Sequence, residues 1–173
     1  MILLVNGPNL NLLGEREPQV YGTTTLPEIE RMVEEACAGY GVPVRAMQSN
    51  YEGALIDFIH EHRHEAHGII VNPGALTHSS YALHDCLKAV ACPVVEVHLS
   101  NVHQREPWRR QDLVAPATRG QIVGLGPLGY YYAALWLMAE AQGQLAAQGV
   151  EPETTVVSPA ELTPVEPGGE YEG

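Results

Sequence analysis

Three observations predict an α/β domain built on a parallel sheet with helices on both faces. Five short apolar runs alternate with four stretches of helical periodicity between residues 1 and 148. Runs such as Ile2-Leu3-Leu4-Val5 and Gly68-Ile-Ile-Val-Asn72 show no polar alternation, as in strands covered on both faces. The helical stretches sit between the strands, as right-handed crossovers between parallel strands require.

Each element has a local reason. Ile2 to Val5 forms the first strand. Thr25 caps the first helix, with Pro27 just inside it and Glu28 three residues after the cap. Ile29, Met32, Val33 and Ala36 recur at helical spacing to about Tyr40, and Gly41 ends the run. Val42 to Gln48 is the second strand. Gly53 to Ala66 is the second helix, with Leu55, Ile56, Ile59 and Ala66 on one face. Gly68 to Asn72 is the third strand, Ser79 to Val90 the third helix and Pro93 to His98 the fourth strand. Gln121 to Leu125 and Leu128 to about Ala147 complete the set. Five such strands suggest a flavodoxin-like sheet.

The domain so defined spans residues 1 to 148. From Gly149 to Gly173 prolines interleave with glutamates and no basic residue remains, the composition of a disordered acidic tail. At 45% hydrophobic and 17% charged, the chain reads as globular. No apolar run reaches the roughly 20 residues of a membrane span, and no basic segment precedes the first strand, so a signal peptide is not expected. Three cysteines without zinc-site spacing fit a reduced, cytoplasmic setting. A net charge of −12 argues against nucleic acid as partner, but leaves room for a small anionic ligand, since local field outweighs total charge.

Candidate chemistry gathers where strands end. Asn6 to Gly22 is long for a strand-to-helix connection and carries Asn9, Arg16 and Tyr21. The third strand leads into Asn72 to Ser80, and the fourth into Glu96 to His103. Polar residues at several carboxyl strand ends converge on one crevice in such sheets. Alternation puts Glu96, His98 and Ser100 on one side. A carboxylate beside a histidine fixes the ring and favours its charged form, which makes His98 a candidate general acid. The backbone N–H groups of Leu99 and Ser100 suit a carboxylate. An ordinary phenol, with a pKa of roughly 10, is a poor base at neutral pH unless a guanidinium sits nearby. By spacing alone, Tyr21 reads as a packing tyrosine and Arg16 as a solvated arginine.

His60-Glu61-His62-Arg63-His64 matches the H-E-x-x-H zinc pattern. His60 and His64 share a face with Gly53 and Asp57, away from the apolar one, and no third ligand follows, so a solvated face is the better reading. An FMN-binding or receiver-type module is the rival reading of the whole chain. The loop Asn6 to Gly14 lacks the serine and threonine of a flavin-phosphate site. The acidic residues and the fifth-strand lysine of a receiver are also absent.

The motifs together resemble type II 3-dehydroquinate dehydratases. The matching text runs Asn6-Gly-Pro-Asn-Leu-Asn-Leu-Leu-Gly, Arg16-Glu-Pro, Tyr21-Gly, Gln48-Ser-Asn-Tyr-Glu-Gly, Asn72-Pro-Gly-Ala, Thr77-His-Ser, and Ala82-Leu with Asp85. It continues through Glu96-Val-His-Leu-Ser-Asn-Val-His, Arg105-Glu, Arg109-Arg, Gly124-Leu-Gly and Gly129-Tyr. The resemblance covers about residues 1 to 145 and departs from the family's usual residues at Leu76 and His84.

It implies reversible loss of water from 3-dehydroquinate to give 3-dehydroshikimate through an enolate. This is the third step of the shikimate pathway, and it needs no cofactor or metal. It implies Tyr21 as base, Arg16 as the loop arginine that sustains it, Asn9 as holder of a water at the enolate oxygen, and His98 as acid oriented by Glu96. Asn72 with Leu99 and Ser100 would hold the carboxylate, and His78, Asp85 and Arg109 the ring hydroxyls. It also implies a dodecamer of four trimers, with Asp85 reaching a neighbour's site. On one continuous third helix, Asp85 would stand two turns, roughly 10 Å, beyond His78.

Overall fold

The computed structural model describes residues 1–15, 19 and 22–147, apart from the side chains of 144–147. Arg16, Tyr21 and the acidic tail lie outside the described residues. Five parallel strands, β1 (Ile2–Asn6), β2 (Val44–Gln48), β3 (Gly68–Asn72), β4 (Val94–His98) and β5 (Gly120–Val123), form one sheet in the order β2-β1-β3-β4-β5. Among the described residues, four α-helices, α1 (Leu26–Ala38), α2 (Glu52–His62), α3 (Tyr81–Lys88) and α4 (Leu128–Ala147), connect and follow them. This is the flavodoxin-like doubly wound order.

Strand alternation divides the core in two. Ile2, Leu4, Ile70, Val95 and Val97 pack beneath α1 and α4, against Ile29, Val33, Tyr130 and Leu137. Leu3, Val5, Ile69, Val71 and Val94 face the other way, onto Leu55 and Ile59 of α2 and Leu83 and Leu87 of α3. Each fully buried side chain of this kind stabilises the fold by roughly 1.5–3 kcal/mol. Among the described residues, no helix is long and apolar enough to cross a membrane.

The capping residues behave as their chemistry dictates. Glu28 accepts from the Thr25 N–H and hydroxyl at 2.7 Å, closing a capping box at the start of α1. Several ends differ from the sequence reading by a few residues. β2 begins at Val44 because Pro43, which has no N–H, enters the sheet only through its carbonyl, accepting from the Ile2 N–H at 2.9 Å. α1 stops at Ala38, and the Tyr40 and Gly41 N–H groups close tight turns onto Cys37 and Ala38. α2 stops at His62, with the Arg63 guanidinium donating to the His60 carbonyl of its last turn.

α3 is shorter than the periodicity suggests. Ser80 is its N-cap, accepting from the Leu83 N–H at 2.8 Å, and Gly74–His78 forms a separate 3₁₀ turn. His78 and Asp85 therefore do not share a helix, and the two-turn separation reckoned along one axis does not apply.

Candidate active site

β1, β3 and β4 lie side by side, and β2 and β3 flank β1 on opposite sides. A crevice opens at such a switch point, outside the carboxyl ends of the strands. Two close approaches shape its floor. Gly7 donates to the Asn72 carbonyl at 2.8 Å, and a Cβ there would collide with the Pro73 carbonyl. Gly74 has φ 58°, where a side chain would be strained, and a Cβ would lie 3.0 Å from the Pro8 carbonyl oxygen. Glycine at both positions lets the β1 and β3 loops touch.

The cleft above this floor is lined by Asn9, Asn72, His78, His98, Leu99, Ser100 and Arg109, all seven named from the sequence. Leu10, Leu13 and Arg105 join them. Glu96 is fully buried directly behind His98. Asp85 is exposed on α3 and does not border the cleft of its own chain. A second cleft, sharing Leu99, Ser100 and Arg105, is bordered by Gly22. Both described flanks of the first loop, Leu13 and Gly22, thus abut this region.

Alternation decides what each strand end meets. Asn6 and Asn72 have the parity of Leu4 and Ile70 and turn toward α4, where Tyr130 waits. The Asn72 amide donates to the Tyr130 hydroxyl at 2.8 Å, and that hydroxyl donates to Asn6 Oδ1 at 2.9 Å. Asn72 Oδ1 accepts from the Gly74 N–H at 3.1 Å. Burial pushes the Tyr130 phenol far above its ordinary range, partly opposed by the Asn72 hydrogen bond. Tyr130 is therefore a neutral strut that fixes the Asn72 amide at the cleft.

Glu96 and His98 have the parity of Val94 and turn the other way. His98 Nε2 stands 2.9 Å from Glu96 Oε1, donation from the ring N–H to a carboxylate. Thr77 Oγ1 lies 2.6 Å from the same oxygen, and the Gln121 amide of β5 donates to Glu96 Oε2 at 2.8 Å. Asp112, from the loop before β5, completes the cluster. Ligand atoms of Glu96, His98 and Asp112 lie within 4.8 Å of one another, and the carboxylates are already engaged by Thr77 and Gln121.

Cations line the outer wall. Arg109 Nε donates to Glu106 Oε2 at 2.7 Å, and the guanidinium lies 4.1 Å over the Trp108 ring. Trp108 in turn meets the His78 ring edge-on, with centroids 5.1 Å apart. His78 Nδ1 donates to the Gln111 carbonyl at 2.6 Å, leaving its other nitrogen for a ligand. Glu106 is held below the usual carboxylate range by its own backbone N–H, then by Arg109. Asn9 has φ 68°, and its N–H donates to Asn50 Oδ1 at 2.9 Å.

The H-E-x-x-H residues stand apart from this cleft. His60 and His64 are exposed, and His62 is buried edge-on against Phe58, with Arg45 Nη1 3.0 Å from its Nε2. Asp112, Gln121, Thr77 and Tyr130 were given no role on sequence grounds. Thr77 and Tyr130 stand inside matching motifs, whereas Asp112 lies in an irregular loop with no periodicity to mark it.

A switch-point crevice holding a carboxylate-backed histidine, carboxamides and arginines marks an α/β protein equipped for acid–base chemistry on a small anionic ligand. The family model for class II dehydroquinases matches residues 1–138. A 3-dehydroquinate dehydratase of Anoxybacillus flavithermus is 54% identical over 142 residues, 82% of this chain and 96% of that protein. Crystal structures of type II dehydroquinases from Propionibacterium acnes and Butyrivibrio crossotus each superpose with a TM-score of 0.76. They are 38% and 45% identical, and cover 80% and 79% of this chain and 95% of each of theirs. The chain belongs to the class II dehydroquinase family.

Proposed function

We propose that this chain is a 3-dehydroquinate dehydratase, a hydro-lyase that eliminates water from 3-dehydroquinate through an enolate and works without cofactor or metal. The observation that carries the reading is the buried Glu96–His98 pair, 2.9 Å apart, opening onto the arginine- and asparagine-lined cleft. Hydroxide leaves badly unless protonated, and His98, held by Glu96, is the acid for the C1 hydroxyl. Removing the proton beside the ketone needs a base and fixed donors for the enolate. Tyr21 is assigned as that base, Arg16 as its sustaining cation, and Asn9 as holder of the water at the enolate oxygen. The flanks of their loop border the cleft, which supports a lid that assembles the base over bound substrate.

The substrate carboxylate is assigned to Asn72 and the backbone of Leu99 and Ser100, and the ring hydroxyls to His78 and Arg109. Asp85 is assigned to a neighbouring subunit's site, in a cytoplasmic dodecamer of four trimers. Two features support assembly. Asp85 is exposed and away from its own cleft, and Leu128, Tyr132 and Trp136 form an exposed stripe at four-residue spacing along α4. Residues 149–173 are assigned to a tail outside the catalytic domain.

The test is direct. The purified, colourless protein incubated with 3-dehydroquinate should generate the ultraviolet absorption of a conjugated enone. A bound chromophore, or no absorbance change at any pH between 5 and 9, would refute the reading.

A further inference from the structure

Thr77 has one hydroxyl hydrogen and two carboxylate neighbours, Glu96 Oε1 at 2.6 Å and Asp112 Oδ1 at 2.8 Å. Gln121 spans the same pair on the other side, its amide 2.8 Å from Glu96 Oε2 and 2.5 Å from Asp112 Oδ2. Asp112 is itself fixed. Its Oδ1 accepts from the N–H groups of Val114 and Ala115 at 2.9 and 2.8 Å, as a loop-anchoring aspartate does. Its Oδ2 stands 3.9 Å from His98 Nε2. Two carboxylates therefore back one imidazole, clamped to each other by shared donors.

We propose that Asp112 is a positioning residue for the acid step: a second carboxylate that, with Glu96, holds His98 charged and aimed at the cleft. The inference rests on His98 being the acid. Asp112 acts through its charge, which faces the His98 ring across 3.9 Å. The Thr77 hydroxyl bridges the two carboxylates, closer to Glu96 Oε1 at 2.6 Å than to Asp112 Oδ1 at 2.8 Å, and so keeps Asp112 in place behind the pair. Among the described residues, the other charged or titratable groups lining the cleft are His78 from the 3₁₀ turn and Arg105 and Arg109 from the outer loop, both arginines paired with Glu106. The two arginines bring positive charge to the cleft wall, and the second carboxylate offsets it on the His98 side.

The experiment compares pH profiles of kcat and kcat/KM for wild type, Asp112→Asn and Asp112→Ser. Asparagine and serine both keep an oxygen for the Val114 N–H, so the loop turn survives without the charge. In either variant the alkaline limb should move to lower pH by about one unit, roughly a tenfold loss of rate on that limb. KM on the acidic plateau should be unchanged. An NMR titration of the His98 ring should move by the same amount. Profiles and titrations that superpose on wild type would overturn the proposal, because removing the Asp112 carboxylate would then leave His98 unaffected. A uniform loss of rate at every pH would overturn it too, leaving Asp112 a merely structural role. An active His98→Ala enzyme would instead refute the assignment of the acid itself.

Discussion

Tyr130 shows how much a single side chain outside the cleft can carry. Its hydroxyl accepts from Asn72 and donates to Asn6, all three buried. Tyr130→Phe keeps the ring but leaves Asn6 Oδ1 without its donor and the Asn72 amide without its acceptor. Each orphaned buried group costs about 1–3 kcal/mol. Denaturant unfolding should show that loss, and KM should rise more than kcat falls, because Asn72 is assigned to substrate binding rather than proton transfer. An unchanged KM would detach Tyr130 from the site. The thiols make a second residue-scale prediction. Burial pushes Cys37 and Cys86 up to about 11 from an ordinary value of 9.0. A group that holds its proton more tightly when folded contributes stability that is present below the unfolded value and lost as pH rises through the folded one. The unfolding midpoint should therefore fall between about pH 9 and pH 11, and native Cys37 and Cys86 should resist thiol reagents at pH 8. Rapid labelling of either in the native protein would contradict this.

At the scale of elements, the loop after β1 matters most. Arg16 is assigned to that loop beside the base, whereas Arg110 is an exposed residue of the outer wall. Arg16→Ala should lower kcat well below that of Arg110→Ala in steady-state kinetics, and equal effects would remove the lid from the mechanism. Elements with strong local chemistry were legible in the sequence. β3 and α4 have the expected bounds, and the Thr25–Glu28 capping box stands where its spacing placed it. Ends set by tertiary geometry were not. Pro43 delays β2, and α3 begins at Tyr81 behind a Ser80 cap rather than at Ser79. The site was legible wherever a strand end delivered it: the Glu96–His98 pair follows from alternation alone. Asp112 and Gln121 were invisible because they join Glu96 only after the last crossover brings β5 beside β4, a contact across 25 residues for Gln121. The 3₁₀ turns between β4 and β5 carry no period that a sequence reading can follow.

For the whole molecule, the exposure of Asp85 away from its own cleft sets the question of assembly. If a neighbour's Asp85 completes each site, inactive Asp85→Ala and His98→Ala subunits should complement one another. Mixed trimers reassembled from the two should regain activity in those sites that draw a wild-type His98 and a wild-type Asp85 from different copies. Absence of recovery beyond the two parents, or an active monomer by sedimentation, would contradict a shared site. The fold explains why such sharing is open to this chain. Every strand end of the crevice is supplied within one subunit, while α3 carries Asp85 on the outer surface.

The proposed elimination turns on the acid that β4 delivers to the switch point through Glu96 and His98. The most direct measurement is the steady-state kcat of His98→Ala on 3-dehydroquinate, followed by enone absorbance, with circular dichroism to confirm the fold. A loss on the order of 10²–10⁴-fold with the fold intact is expected, the usual contribution of a positioned general acid. A folded His98→Ala enzyme turning over at a near-normal rate would contradict it.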